Sequence, residues 1–192
     1  MTRQIWTAPN QLTLLRLIFI PFIVMNVAEG DYGWALGLFI GAGISDGLDG
    51  LLARLLKQKT VLGQYLDPIA DKLLLSTLFL VLAFKQLIPW KVTIIVLSRD
   101  VIIIFICTLV YATMNFRDFR PSIFGKLNTV SQVVSLGLVL LDRVTRHPWV
   151  DTATAISLWT TFGLTIISGV HYVIRLGQQL HQLHSGKSSA AA

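Results

Sequence analysis

The chain has 192 residues, of which 54% are hydrophobic and only 14% charged, and its mean hydropathy is +0.67. Soluble domains carry about a quarter charged residues, so a water-facing globular domain is excluded, as are disorder, collagen and a sustained coiled coil. The net charge of +6 sits mostly in short loops between apolar runs, where basic residues meet anionic headgroups rather than nucleic acid, and a single Cys107 excludes an intrachain disulfide framework.

A bilayer span needs about 20 mostly apolar residues, and six fit in chain order: 11–29, 34–56, 65–86, 92–113, 123–141 and 153–175. Turn signals separate them at Glu29-Gly30-Asp31, Lys57-Gln58-Lys59, Leu87-Ile88-Pro89, Arg117 to Pro121, and Arg146-His147-Pro148. The expected fold is all-α and integral to the membrane: one six-helix bundle over 1–177, followed by a flexible tail over 178–192. No secretory leader is expected, because the first apolar run, Leu12 to Val27, is long enough to be kept as a span. Trp6, Trp34, Trp90, Trp149 and Trp159 fall mostly near span ends, as interfacial anchors do.

Lysine and arginine outside the spans set the orientation. Arg3, Lys57, Lys59, Arg117, Arg120 and Lys187, with Arg54, Lys126 and Arg175 at the boundary, lie on one side; Lys85, Lys91, Arg143 and Arg146 lie on the other. Nine against four places both termini, and the loops after the second and fourth spans, in the cytoplasm.

Five of the ten acidic residues, Asp46, Asp49, Asp67, Asp71 and Asp100, fall within or at the ends of apolar spans. A charged residue at the centre of a membrane helix costs roughly 2.5–3.5 kcal/mol, so these must face a polar interior with cationic partners: Arg16, Arg54, Lys72, Arg99 or bound metal. Asp46 and Asp49 share one helix face and Asp67 and Asp71 another, on consecutive spans that should pack antiparallel. Four converging carboxylates repel unless divalent cations neutralise them, and an all-oxygen set without Cys or His points to Mg²⁺ or Mn²⁺. Gly41, Gly43, Gly47 and Gly50 crowd the second span, which suggests close approach by a helix or a ligand, Gly50 being the expected ligand contact.

Asp46-Gly-Leu-Asp49-Gly50-Leu-Leu-Ala53-Arg54, then Gly63, Asp67 and Asp71, resembles the CDP-alcohol phosphatidyltransferase signature at all eight fixed positions over 26 residues. The resemblance extends to Pro9-Asn10-Gln-Leu-Thr13-Leu-Leu-Arg16, Asp67-Pro-Ile-Ala-Asp71-Lys72, Ser98-Arg99-Asp100 and Gly125-Lys126-Leu-Asn128-Thr129. It implies a six-helix membrane enzyme, a homodimer, that uses CDP-diacylglycerol as donor. It further implies that Asp46, Asp49, Asp67 and Asp71 bind two divalent cations, that Asp71 is also the general base, and that Gly50, Arg54 and Gly63 help hold the cytidine diphosphate. Asn10, Thr13 and Ala53 are expected beside the donor as well. Two metals on a diphosphate ester, with a carboxylate to take the acceptor's proton, suffice for the chemistry.

The chain resembles the glycerol-headed branch, which contains phosphatidylglycerophosphate synthases and cardiolipin synthases of mitochondrial type. Ser98-Arg99-Asp100 and Asn128 replace the Ala-Arg-Glu and second lysine usual in the former. The missing lysine removes a charge suited to a dianionic phosphomonoester, so phosphatidylglycerol is the expected acceptor and glycerol 3-phosphate the alternative. Arg16, Arg99, Lys126 and Asn128 are the expected acceptor-side residues, with a simple Arg99–Asp100 pair as the competing role for Arg99. A cation or proton carrier would also bury aspartates, but it would commonly show internal repeats and a broken helix near the bilayer midplane, and neither is present. His181 and His184 read as a solvated helix end and Cys107 as a buried inert thiol.

Overall fold

The computed structural model describes the backbone at residues 8–55, 61–114 and 123–189, and the side chains at 14–45, 47, 70–103, 123–172 and 174. It is all-helical, with α1 Ala8–Glu29, α2 Tyr32–Leu55, α3 Val61–Phe84, α4 Trp90–Met114, α5 Ile123–Thr145 and α6 Pro148–Ser189. Each helix covers one apolar run of the sequence. The exception in extent is α6, which continues past 175 through the stretch expected to fray. Its backbone has a reason to continue: no proline follows Pro148, and Leu176, Leu180 and Leu183 keep helical spacing.

Three helix ends share one stop. Gly30, Gln86 and Arg146 follow α1, α3 and α5 with φ of 89°, 59° and 50°, the left-handed conformation that closes a helix. After α1 and α3 the closure is a six-residue ring, Asp31 N donating to Asn26 O at 2.8 Å and Leu87 N to Leu82 O at 2.9 Å. After α5 a single bond runs from Arg146 N to Asp142 O at 2.9 Å. Lys85 Nζ donates to Ala28 O at 2.6 Å, so a cation serves the last carbonyls of α1 from the neighbouring helix. Only Gly30 adopts its φ without cost. Gln86→Gly should therefore raise stability by about 1 kcal/mol, read as a higher unfolding midpoint in detergent.

Among the described residues, helix contacts form a ring in the order α1, α2, α5, α6, α4, α3 and back to α1, and α3 also touches α5 across the middle. The α3–α5 contact divides the ring into two lobes, one bounded by α1, α2, α3 and α5, the other by α3, α4, α5 and α6. The core follows this plan: Leu74, Leu75, Leu78, Phe79 and Leu82 on α3 are buried against Ile23, Phe39, Val92 and Leu136 of its neighbours. Outward faces are apolar on all six helices, with Ile18, Ile44, Phe84, Ile94, Val130 and Ile156 each more than half exposed. Among the described residues, α5 (Ile123–Thr145) and the Pro148–Tyr172 part of α6 are long and apolar enough to cross a membrane by themselves.

Candidate active site

Arg16 is the largest fully buried side chain, at 1% exposure. A guanidinium there needs an acceptor, and the Asp71 carboxylate, 55 residues away on α3, takes its Nη1 proton. Asp71 remains 39% exposed, so the carboxylate that pairs with α1 is still accessible. The pair stands in the wall of a cavity of about 490 Å³ in the first lobe, lined otherwise by Leu36, Phe39 and Ile40 of α2, Leu74 and Leu75 of α3, and Val133, Gly137 and Leu141 of α5. A long apolar pocket with one charged wall suits an amphipathic ligand whose polar head is gripped and whose tail is buried.

Of the glycines of α2, Gly43 lines this space. No described atom comes within 4 Å of a Cβ built on Gly41, Gly43 or Gly47, so among the described residues these positions leave room. Gly43→Phe would fill that room without backbone strain and with a gain in helix propensity.

The second lobe carries a different polar cluster. Asp100 of α4, 4% exposed, accepts Lys72 Nζ at 2.9 Å on both carboxylate oxygens and Arg99 Nη1 at 2.7 Å on Oδ1. Arg99, 8% exposed, extends Nη2 to Ser168 Oγ of α6 at 2.7 Å, and its stem passes Gly169, where a Cβ would make an ordinary 3.9 Å contact with Arg99 Cγ. Three helices are thereby joined through one carboxylate. The expected acceptor-side residues do not gather at one point: Arg16 meets Asp71 in the first lobe, Arg99 meets Asp100 and Ser168 in the second, and Lys126 is exposed. Asn128 is fully buried against α6, its Oδ1 accepting the Thr165 hydroxyl at 2.8 Å. Among the described residues, the competing role for Arg99, pairing with Asp100, is the contact made.

A hydroxyl seam continues below it. Thr161 Oγ1 lies 2.6 Å from Ser131 Oγ and 2.8 Å from Ser135 Oγ, and Thr165 also donates to Thr161 O at 2.7 Å. Gln132, one turn from Asn128, is fully buried with neither amide atom partnered. Sequence reasoning named Lys72 only as one of several counter-ions and missed Thr165 and Ser168. The signal for α6 was available in the spacing of Thr161, Thr165 and Ser168, which places three hydroxyls on one helix face.

The side chains of Asn10, Thr13, Asp46, Asp49, Gly50, Ala53, Arg54, Gly63 and Asp67 lie outside the described residues, as do those of Cys107, His181 and His184. Their helices are described: Asp46 and Asp49 are three apart on α2, and Asp67 and Asp71 four apart on α3. A donor set made only of carboxylate oxygens, with Asp71 39% exposed, fits a hard divalent cation. Among the described residues no group of three potential metal ligands comes together.

The model of the CDP-alcohol phosphatidyltransferase family matches residues 6–167. The chain belongs to the CDP-alcohol phosphatidyltransferase family. Members of this family are membrane-bound, act on CDP-alcohol donors and alcohol acceptors, and generally use divalent metal ions. Cardiolipin synthase (CMP-forming) of Rattus norvegicus is 31% identical over 95% of this chain and 65% of its own length, and the Homo sapiens protein of the same name is 30% identical over 93% and 64%. The chain thus spans about 65% of the length of these relatives. A Mycobacterium tuberculosis protein named "Probable phosphatidylglycerophosphate synthase" is 34% identical over 86% of this chain and 79% of its own length. Membership in a transferase family removes the reason to entertain a cation or proton carrier.

Proposed function

We propose that this chain is a polytopic membrane enzyme that transfers the phosphatidyl group of CDP-diacylglycerol to phosphatidylglycerol, forming cardiolipin and releasing CMP. The observation that carries this reading is the accessible Asp71 carboxylate, paired with buried Arg16 in the wall of an apolar cavity, in a chain of this family. The cavity suits the donor's acyl portion, and the polar wall suits its phosphates. Asp71 accepts the proton of the acceptor hydroxyl as that oxygen attacks the phosphorus nearest diacylglycerol, and the bond from that phosphorus to the CMP oxygen breaks. Arg16 fixes the carboxylate by donating to it, which orients it for the reacting hydroxyl. Asp46, Asp49, Asp67 and Asp71 would hold the cations, two Mg²⁺ or Mn²⁺. When bound, those ions supply charge neutralisation of the diphosphate and alignment of the attacking and leaving oxygens. Asn10, Thr13, Gly50, Ala53, Arg54 and Gly63 complete the donor side.

Six bilayer spans follow from the same reading. Lipid accounts for the exposed apolar faces of all six helices. Trp34, Trp90 and Trp149, exposed at the first turns of α2, α4 and α6, mark one interface beside the three left-handed helix stops. The metal-binding ends of α2 and α3 lie at the opposite interface, which the basic loops assign to the cytoplasm, together with both termini. Residues 1–177 form the catalytic bundle, and a second copy completes a homodimer.

Glycerol 3-phosphate is the second reading, favoured by the higher identity to the mycobacterial phosphatidylglycerophosphate synthase. Asn128 argues against it: a neutral side chain, buried on Thr165, adds nothing to the binding of a dianion. Purified protein should release CMP from CDP-diacylglycerol with divalent cation and phosphatidylglycerol, and the lipid product should be cardiolipin. Product from glycerol 3-phosphate alone would transfer the proposal to the second reading, and no CMP with any acceptor would overturn it. Gly43→Phe should lower kcat/KM for CDP-diacylglycerol about tenfold or more without loss of thermal stability.

A further inference from the structure

The cluster on Asp100 has one charge too many. Lys72 and Arg99 share a single carboxylate, so the group carries a formal charge of +1 inside the helix ring, and among the described residues neither cation has another acidic partner. A net buried charge asks for an anion. A second observation points the same way: Arg99 Nε is buried without an acceptor, so a further donor on the same cluster is free. The three groups also differ in access, Asp100 and Arg99 being 4% and 8% exposed while Lys72 is 25% exposed. The ammonium on the accessible edge is thus the part an anion can reach, and Asp100 fixes it from behind.

Its place in the fold separates this site from the diphosphate site. Asp71 and Lys72 are neighbours on α3, so their side chains leave the helix about 100° apart. Asp71 turns to Arg16 of α1 and Lys72 to Asp100 of α4, on opposite sides of the α3–α5 contact. The family's metal carboxylates belong with α2 and the Asp71 side. An anion on Lys72 is therefore a second phosphate group, one residue along the chain from the carboxylate that takes the acceptor's proton.

We infer that Lys72, oriented by Asp100, is a binding residue for the acceptor's phosphodiester, and that Arg99 positions Asp100 rather than leading the recognition. The inference rests on the transferase reading above and deepens it. In the ammonium of Lys72 the acceptor meets a single point charge with spare donors, which suits a monoanionic diester. Asp100 is a positioning residue: it withdraws one face of the ammonium and leaves the other for substrate.

The test is a pair of substrate titrations on the full chain in detergent-lipid micelles, following CMP release. Lys72→Met should raise KM for phosphatidylglycerol about tenfold or more, the scale of one lost hydrogen bond to a charged group, with KM for CDP-diacylglycerol within about twofold. Lys72→Arg should restore most of the acceptor affinity. Asp100→Asn, which keeps the cation but loosens it, should raise the same KM by a smaller factor. An unchanged KM for phosphatidylglycerol, or an equal rise for both lipids, would overturn the inference and leave the cluster a brace between helices. A rise for CDP-diacylglycerol alone would overturn it in favour of a donor phosphate site.

Acylation of Lys72 by an amine-reactive ester, followed by mass spectrometry on unsubstituted protein, gives a readout independent of turnover and of variant folding. Phosphatidylglycerol micelles should slow labelling of Lys72 severalfold, and micelles of a neutral diacylglycerol should not. Equal labelling in both would overturn the inference even with an active enzyme. Protection without any CMP release would uphold the phosphodiester site and reject the transferase reading on which its role was built.

Discussion

Asp71→Asn will lower the rate of CMP release by about 10²–10⁴-fold, the range of a lost general base, in protein that stays folded. Asparagine is nearly the same shape, and its amide oxygen still accepts the Arg16 Nη1 proton, so the guanidinium buried at 1% exposure keeps this partner. What disappears is the negative charge, and with it the basicity that receives the acceptor's proton. The measurement is initial CMP release at saturating lipid, beside a thermal unfolding curve in detergent. More than a tenth of the parent rate would remove Asp71 from the chemistry. Asp71→Ala separates the two roles: it should show the same loss of rate with a lower unfolding midpoint, since the Arg16 cation then loses this acceptor.

Asp100→Leu should destabilise the fold by about 3–5 kcal/mol, the usual consequence of removing one partner from a buried ion pair. Arg99 is the reason. At 8% exposure it cannot follow its charge into water, and its Nη1 donor would face a leucine side chain. Lys72 has a quarter of its surface free, so it contributes less to the loss. The double variant Arg99→Leu with Asp100→Leu should recover most of the deficit, because the buried guanidinium is gone, the remaining cation is the quarter-exposed Lys72, and three helices keep their apolar contacts. Chemical denaturation in mixed micelles checks both. A double variant no more stable than Asp100→Leu would mean that the cluster braces α3, α4 and α6 through geometry rather than charge balance.

The helices were legible because apolar length and turn residues act locally: each of the six runs became one helix, and the Gly30 stop was readable from its glycine. Gln86 and Arg146 were not, since their left-handed φ is imposed by hydrogen bonds to carbonyls of the preceding turn on residues with no preference for it. The site divides in the same way. Asp71 was legible from a fixed spacing, whereas its pairing with Arg16 joins residues 55 apart and depends on how α1 leans on α3. The dual occupancy of Asp100 was half legible, in the adjacent Arg99. Lys72 reaches it, and Ser168 reaches Arg99, only through the order of helices around the ring, which no local pattern encodes.

The hydroxyl seam between α5 and α6 bears on how such a chain assembles. Hydrocarbon tails solvate leucine as well as another leucine does, so apolar surface alone gives two helices little reason to leave lipid for each other. The bonds of Thr161 to Ser131 and Ser135, and of Thr165 to Asn128, do give such a reason, because lipid has no counterpart for them. On the six-span reading proposed above, the last hairpin can therefore pair inside the bilayer as soon as both its helices have been inserted, with no help from the rest of the chain. The α1–α2 hairpin closes on Ala35, Ala42 and Phe39 and offers no equivalent ladder among its described residues. Assembly then has a direction: the C-terminal hairpin is the preformed half against which the earlier helices are gathered.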